Sequence, residues 1–170
     1  MKLGFLTACM PRRSLAEVCA WARSNGFEAL EVAAWPDLGD RPFTATHLVA
    51  DGFGAGDAEA IRQLFADHDL ICSSLAYYDN NLHPDPDTRA AVNAHVRRCI
   101  DAASLLGCPT VGTFVGRDPT RSVADNLRNA EAVFRPLLEP AGEAGATPIS
   151  ENCAMAGWHP AGYPGNLAYS

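Results

Sequence analysis

"KLGFLTACMPRRSLAEVCAWARSNGFEALEVAA", residues 2–34, reads as strand, helix, strand. The short apolar run over 2–7 predicts a first strand. Ser14 and Glu17 stand at capping-box spacing, where each side chain satisfies the other's free backbone N–H. Leu15, Val18, Cys19 and Ala22 then recur on one helical face, and Asn25-Gly26 supplies a stop. A second apolar run over 29–34 follows, too soon for anything but a crossover. Two strands joined through a helix pair in parallel with a right-handed connection, so this stretch predicts an α/β fold.

The same unit repeats outward from there. A Pro- and Gly-rich loop runs from Trp35 to Gly56, and Asp57 is expected to cap a helix with Ile61, Leu64 and Phe65 inward. "LICSSLAYY" (70–78) predicts strand 3. Asp85 as N-cap and Pro86 at the first helical position open a helix that Gly107 ends. "TVGTFV" (110–115) predicts strand 4. Ser122 caps a helix facing inward with Leu127, Ala130, Phe134 and Leu137, in which Pro136 should cause a kink or an end. "TPISEN" (147–152) predicts strand 5, with Pro148 tolerable only near a strand start or an edge. Five strands alternating with four helices fit either an open doubly wound sheet or part of a (β/α)8 barrel. Both place ligands at the C-terminal ends of the strands.

Composition narrows the function. A net charge of −7 lacks the basic footprint that nucleic acid or an anionic membrane requires. No stretch approaches the about 20 apolar residues of a membrane span, and no signal peptide is recognisable. The six cysteines form no C-x-x-C and no histidine pair stands at zinc-finger spacing, so they read as reduced core residues of a cytoplasmic protein.

The loops after the strands carry the candidates. "TACMPRRS" after strand 1 has neither the glycines of a nucleotide loop nor the spacing of a cysteine phosphatase. Gly52, Gly54 and Gly56 do not match a phosphate fingerprint and read as a flexible loop. His47 reads as a structural histidine, and His68 and His95 as helix-surface residues. After strand 3, Tyr77, Tyr78, Asn80 and His83 could meet a polyhydroxy ligand. After strand 5, alternation points Ile149 and Glu151 the same way, inward in a barrel. A carboxylate in that position needs a cation or a proton, and a hard divalent metal suits it.

"SLAYYDNNLHPDPDTR", "THLVADGF" and above all "ENCAMAGWHPAGYPGNLAYS" resemble the sugar phosphate isomerase/epimerase family, the xylose-isomerase-like TIM barrels. The resemblance runs in order along the whole chain. It implies a (β/α)8 barrel with a divalent metal (Mn, Mg, Zn or Co) at its mouth. The metal is held by a strand-5 glutamate with an Asp, a His and a second Glu from later strands. It further implies that the glutamates move a proton beside a sugar carbonyl. Glu151 matches the first glutamate, as metal ligand and catalytic group. Tyr77, His83, Asn152, Trp158 and His159 fall where the sugar would lie.

The pattern departs from the family in extent. Residues 1–170 are expected to form a partial TIM-barrel domain, strands 1 to 5, without the later units and their ligands. The implied partner is a small sugar or sugar phosphate, with turnover only if another chain completes the barrel. Exposed strand edges make a homo-oligomer an alternative, as a non-catalytic half-barrel that self-associates. An apurinic-site endonuclease-like barrel and an open ligand-binding α/β domain are further readings, disfavoured by the acidic balance and the absent glycine loop respectively.

Overall fold

A computed structural model describes residues 1–37 and 44–169. Part of the loop after strand 2, residues 38–43, and Ser170 lie outside the described residues. The chain runs β1 (Gly4–Leu6), α1 (Leu15–Ser24), β2 (Ala29–Ala33), α2 (Ala55–Asp67), β3 (Ile71–Asn80), α3 (Pro86–Leu106), β4 (Thr110–Phe114), α4 (Val123–Ala144) and β5 (Thr147–Ser150). Short 3-10 turns follow β1 and β5.

The strands form one parallel sheet in the order β1-β2-β3-β4-β5. That order decides between the two architectures. A doubly wound sheet reverses direction at a switch point and carries helices on both faces. Here every crossover steps the same way, and right-handed connections then place all four helices on one face. The result is a curved segment of a (β/α)8 barrel, with its helices outside.

Register sorts the residues. Val32, Leu75 and Val111 pair across three strands, are fully buried, and belong to the core that includes Val18, Ala22, Val96, Cys99 and Ala103. Burying each such aliphatic side chain contributes about 1.5–3 kcal/mol. The adjacent row, Ala33, Ala76, Gly112 and Ile149, lines the inner face. Ile149 is 43% exposed there, on the edge strand.

The helix ends follow local chemistry. Ser14 and Glu17 form the capping box, Asp85 caps α3 with Pro86 behind it, and Ser122 caps α4. Gly107 closes α3 with φ +76. Four readings need correction. Asp57 does not cap α2: Gly54 does, and the Asp57 carboxylate reaches back to accept its N–H at 2.9 Å. Pro136 does not end α4, which continues to Ala144 because Leu137 and Ala141 anchor it in the core. Leu127 is 58% exposed rather than inward. His95 is 4% exposed rather than on the surface; its Nε2 donates to the Ala34 carbonyl at 2.6 Å, joining α3 to the end of β2.

His47 is satisfied twice. Its ring nitrogens lie 2.8 Å from the Thr7 hydroxyl and 2.9 Å from the Arg13 carbonyl, which ties the loop after β2 to the turn after β1. Burial outweighs the bonds to the Arg13 and Met10 backbone and holds its pKa below the usual histidine value.

Candidate active site at the C-terminal end of the sheet

Buried asparagines build the rim. Asn80 accepts the N–H groups of Leu82 and Arg117 and donates to the Arg117 carbonyl. Gly116 has φ +81, and a Cβ there would strike the Asn80 amide, so only glycine allows the two loops to touch. Asn81 donates to the Thr113 hydroxyl and the Phe114 carbonyl at 2.9 and 2.7 Å. Asn166 accepts the Gly116 N–H at 2.8 Å and donates to the carbonyls of Glu151 and Ala168. The final segment is thereby folded back against the ends of β4 and β5.

Glu151 follows β5 directly, and its N–H continues the ladder to the Thr113 carbonyl at 3.2 Å. Alternation from Ile149 aims it at the inner face. Its side chain reaches solvent, yet partial burial and then the negative charge of Glu31 hold its pKa above the ordinary carboxylate value. Glu31 stands on β2, and the Tyr78 hydroxyl donates to its Oε1 at 2.6 Å. Burial first, then that bond to Glu31, push the Tyr78 phenol upward, so it stays a donor at neutral pH. Gly112 lies beneath both, without a side chain to displace them.

Aromatic rings wall this cluster. Tyr78 lies 6.0 Å from Trp35 and 5.0 Å from Phe114, and Phe114 meets Trp158 edge-on at 5.6 Å. Two carboxylates, a phenol and an aromatic wall thus share the inner face of the sheet near its C-terminal end. That combination suits a small polyhydroxy molecule, with rings against its C–H faces and acceptors for its hydroxyls.

Of the residues singled out from sequence, Tyr78 belongs to this surface, and Glu151 and Trp158 border it. Asn152 is exposed beside Glu151. Tyr77 is 3% exposed and packs on His95, with centroids 4.4 Å apart, in the layer between sheet and helix. His83 sits in the turn before α3, where its Nδ1 accepts the Asp85 N–H at 3.2 Å. His159 accepts the Ala161 N–H and lies 5.3 Å from the Tyr163 ring. Glu31 was missed. The available signal was one charged residue inside the apolar run "ALEVAA", which a surface-buried strand tolerates only where the charge finds a partner.

A metal finds too few donors here. Among the described residues no group of three His, Cys, Asp or Glu side chains could hold one. Glu31 and Glu151 alone do not make a metal site.

No curated protein matches this chain in sequence. Solved structures match its fold. A D-psicose 3-epimerase from Clostridium cellulolyticum H10, described with D-tagatose, aligns at 16% identity over 89% of this chain and 52% of its own, with a TM-score of 0.66. A 3-keto-D-glucoside 4-epimerase, YcjR, from E. coli aligns at 15% identity over 89% and 56%, TM-score 0.66. A xylose isomerase domain protein from Planctomyces limnophilus aligns at 19% identity over 91% and 55%, TM-score 0.66. The chain therefore spans about half the length of the structures it matches, and at such identities the likeness shows the fold alone. The family described as xylose isomerase-like TIM barrel matches residues 19–169. With that match over most of its length, the chain belongs to the xylose isomerase-like TIM barrel family.

Proposed function

We propose that this chain carries the N-terminal part of a sugar isomerase or epimerase site, in which Glu151 moves a proton beside the carbonyl of a small sugar or sugar phosphate. The observation that carries this reading is Glu151 itself. It stands at the C-terminal end of β5, faces Glu31, and is more basic than an ordinary carboxylate. A base must hold its proton long enough to return it, and a carboxylate shifted upward from its ordinary value does so better. Tyr78, oriented by Glu31, offers its oxygen to a sugar hydroxyl, and Trp158 covers the substrate from the side. Asn152 is a second polar contact beside the base, and His83 and His159 are outer contacts from their turns. Tyr77 acts through packing, as the support for the strand that presents Tyr78.

Family resemblance adds a divalent metal with Glu151 as one ligand. The described side chains do not complete that site, so no step here is derived through it. Turnover is expected where further strand–helix units complete the barrel. The expected setting is the cytoplasm; no helix among the described residues is long and apolar enough to cross a membrane.

Sugar binding tests the reading without needing turnover. Ketoses and their phosphates are titrated into the ¹⁵N-labelled chain while the indole signals of Trp35 and Trp158 are followed. Saturable shifts at Trp158, weakened at least about tenfold in affinity by Tyr78→Phe or Glu31→Gln, support it; such a loss is what about 1.4 kcal/mol represents. Absence of any saturable shift at Trp158 across ketoses, aldoses and their phosphates would sink it.

A further inference from the structure

The second chemical feature of this molecule lies at the opposite end of the sheet, on its helical side. Cys72 is the second residue of β3 and Cys108 follows the Gly107 cap of α3. They stand three positions before Leu75 and Val111, which are direct partners across the β3–β4 pair. That shared register brings their sulfurs to 3.6 Å, with the Cys72 thiol donating to Cys108 Sγ. A cleft of about 370 Å³, bounded by Ile61, Phe65, Leu70 and Leu106, opens onto both residues from solvent.

We propose that Cys72 and Cys108 are an oxidative modification site, a dithiol that a hydroperoxide converts into an intrachain disulfide. The other cysteines provide the contrast. All six are free. Burial raises the Cys19 thiol to about 11 and the Cys99 thiol to about 12, which leaves them unreactive at neutral pH. Cys108 moves the other way: the hydrogen bond it accepts from the Cys72 thiol holds it below the ordinary cysteine value, and its own thiol lies 3.7 and 3.6 Å from the Cys72 and Thr110 carbonyls. Cys72 is correspondingly raised, as the partner that keeps its proton. The direction of the sulfur–sulfur hydrogen bond, Cys72 donating and Cys108 accepting, casts Cys108 as the nucleophile and Cys72 as the resolving thiol.

The chemistry balances with hydrogen peroxide as oxidant. The Cys108 thiolate attacks one peroxide oxygen, the O–O bond breaks, and hydroxide leaves with the electron pair. Cys108 is now a sulfenic acid. The Cys72 sulfur then attacks the Cys108 sulfur, the S–O bond breaks and the S–S bond forms. The departing hydroxyl takes the Cys72 proton and the first hydroxide takes the proton that Cys108 released on ionising, giving two waters. The dithiol is oxidised by two electrons and the peroxide reduced by two. The cleft admits an oxidant of that size.

The test uses the full chain, fully reduced, exposed to hydrogen peroxide, alkylated and mapped by mass spectrometry. A Cys72–Cys108 linked peptide, reversed by dithiothreitol, is expected, with Cys19 and Cys99 still alkylatable after unfolding. In Cys72→Ser, the Cys108 sulfenic acid has no resolving partner and is captured by dimedone. In Cys108→Ser, no cross-link forms and Cys72 stays reduced. Six alkylatable thiols after peroxide treatment of the wild-type chain overturn the proposal. So does a link between any other pair, or a dimer through exposed Cys9 with Cys72 and Cys108 untouched. The wild-type map decides by itself if either variant fails to fold.

Discussion

Gly112 has no side chain because Tyr78 and Glu31 occupy the space where one would stand. Gly112→Val is therefore expected to lower stability by about 1–3 kcal/mol through overpacking, read as a shift in the urea midpoint with an unchanged slope. Tyr78→Phe keeps the ring and removes one hydrogen bond. It should cost about 1–3 kcal/mol, because the half-buried Glu31 carboxylate loses its donor. Midpoints unchanged in both variants would show that this cluster is not packed as described. At this scale the sequence was partly legible. Glu151 was found because it ends a strand, where a polar residue stands out. Glu31 was passed over because it sits inside an apolar run and its partner, Tyr78, lies 47 positions away. Tyr77 and Tyr78 are adjacent, and only the strand's facing, fixed by register with β2 and β4, tells which looks inward.

Among the elements, α3 shows how one buried polar group sets pH behaviour. His95 donates to the Ala34 carbonyl, with Arg98 beside its other nitrogen and the charge of Asp51 acting from the loop before α2. Burial lowers its folded pKa, so over that range the unfolded chain binds the proton more readily. Stability then rises with pH, and is lost as the solution is acidified below about 6.5. His47, also lowered by burial, adds to the same slope. Urea midpoints at pH 7 and pH 5 should differ, and His95→Gln, which still donates to Ala34, should flatten the difference; an equal slope in that variant would assign the effect to His47. In α4, Pro136 leaves a carbonyl without its helical partner, so Pro136→Ala should stabilise by up to about 3 kcal/mol. The caps of α1, α3 and α4 were readable because Ser, Asp and Pro act locally. The continuation of α4 was not, because Leu137 and Ala141 hold it through contacts with other elements. Nor was His95, whose partner is 61 positions distant.

Over the whole molecule, the two sheet edges dominate. β1 and β5 each pair on one side only within this sheet, and Ile149 is exposed on β5. Self-association growing with concentration is expected in sedimentation measurements. Ile149→Lys should reduce it by placing a charge on the edge strand; a mass independent of concentration in both forms would show that the edges are blunted by other means. The barrel-type fold was legible from the repeat of strand and helix, but the choice between barrel and doubly wound sheet needed the strand order.

That order also bears on how the chain acquires its shape. Each strand pairs with the one laid down just before it, and no pairing waits for a distant segment. Loop closure is then paid in small, similar steps rather than in one long search. During synthesis, each new strand–helix unit emerges to find its template already in place, and the sheet can grow by accretion from its first residue onward. The fifth strand delivers Glu151, so that carboxylate joins a surface whose other walls the four strands before it have already laid down.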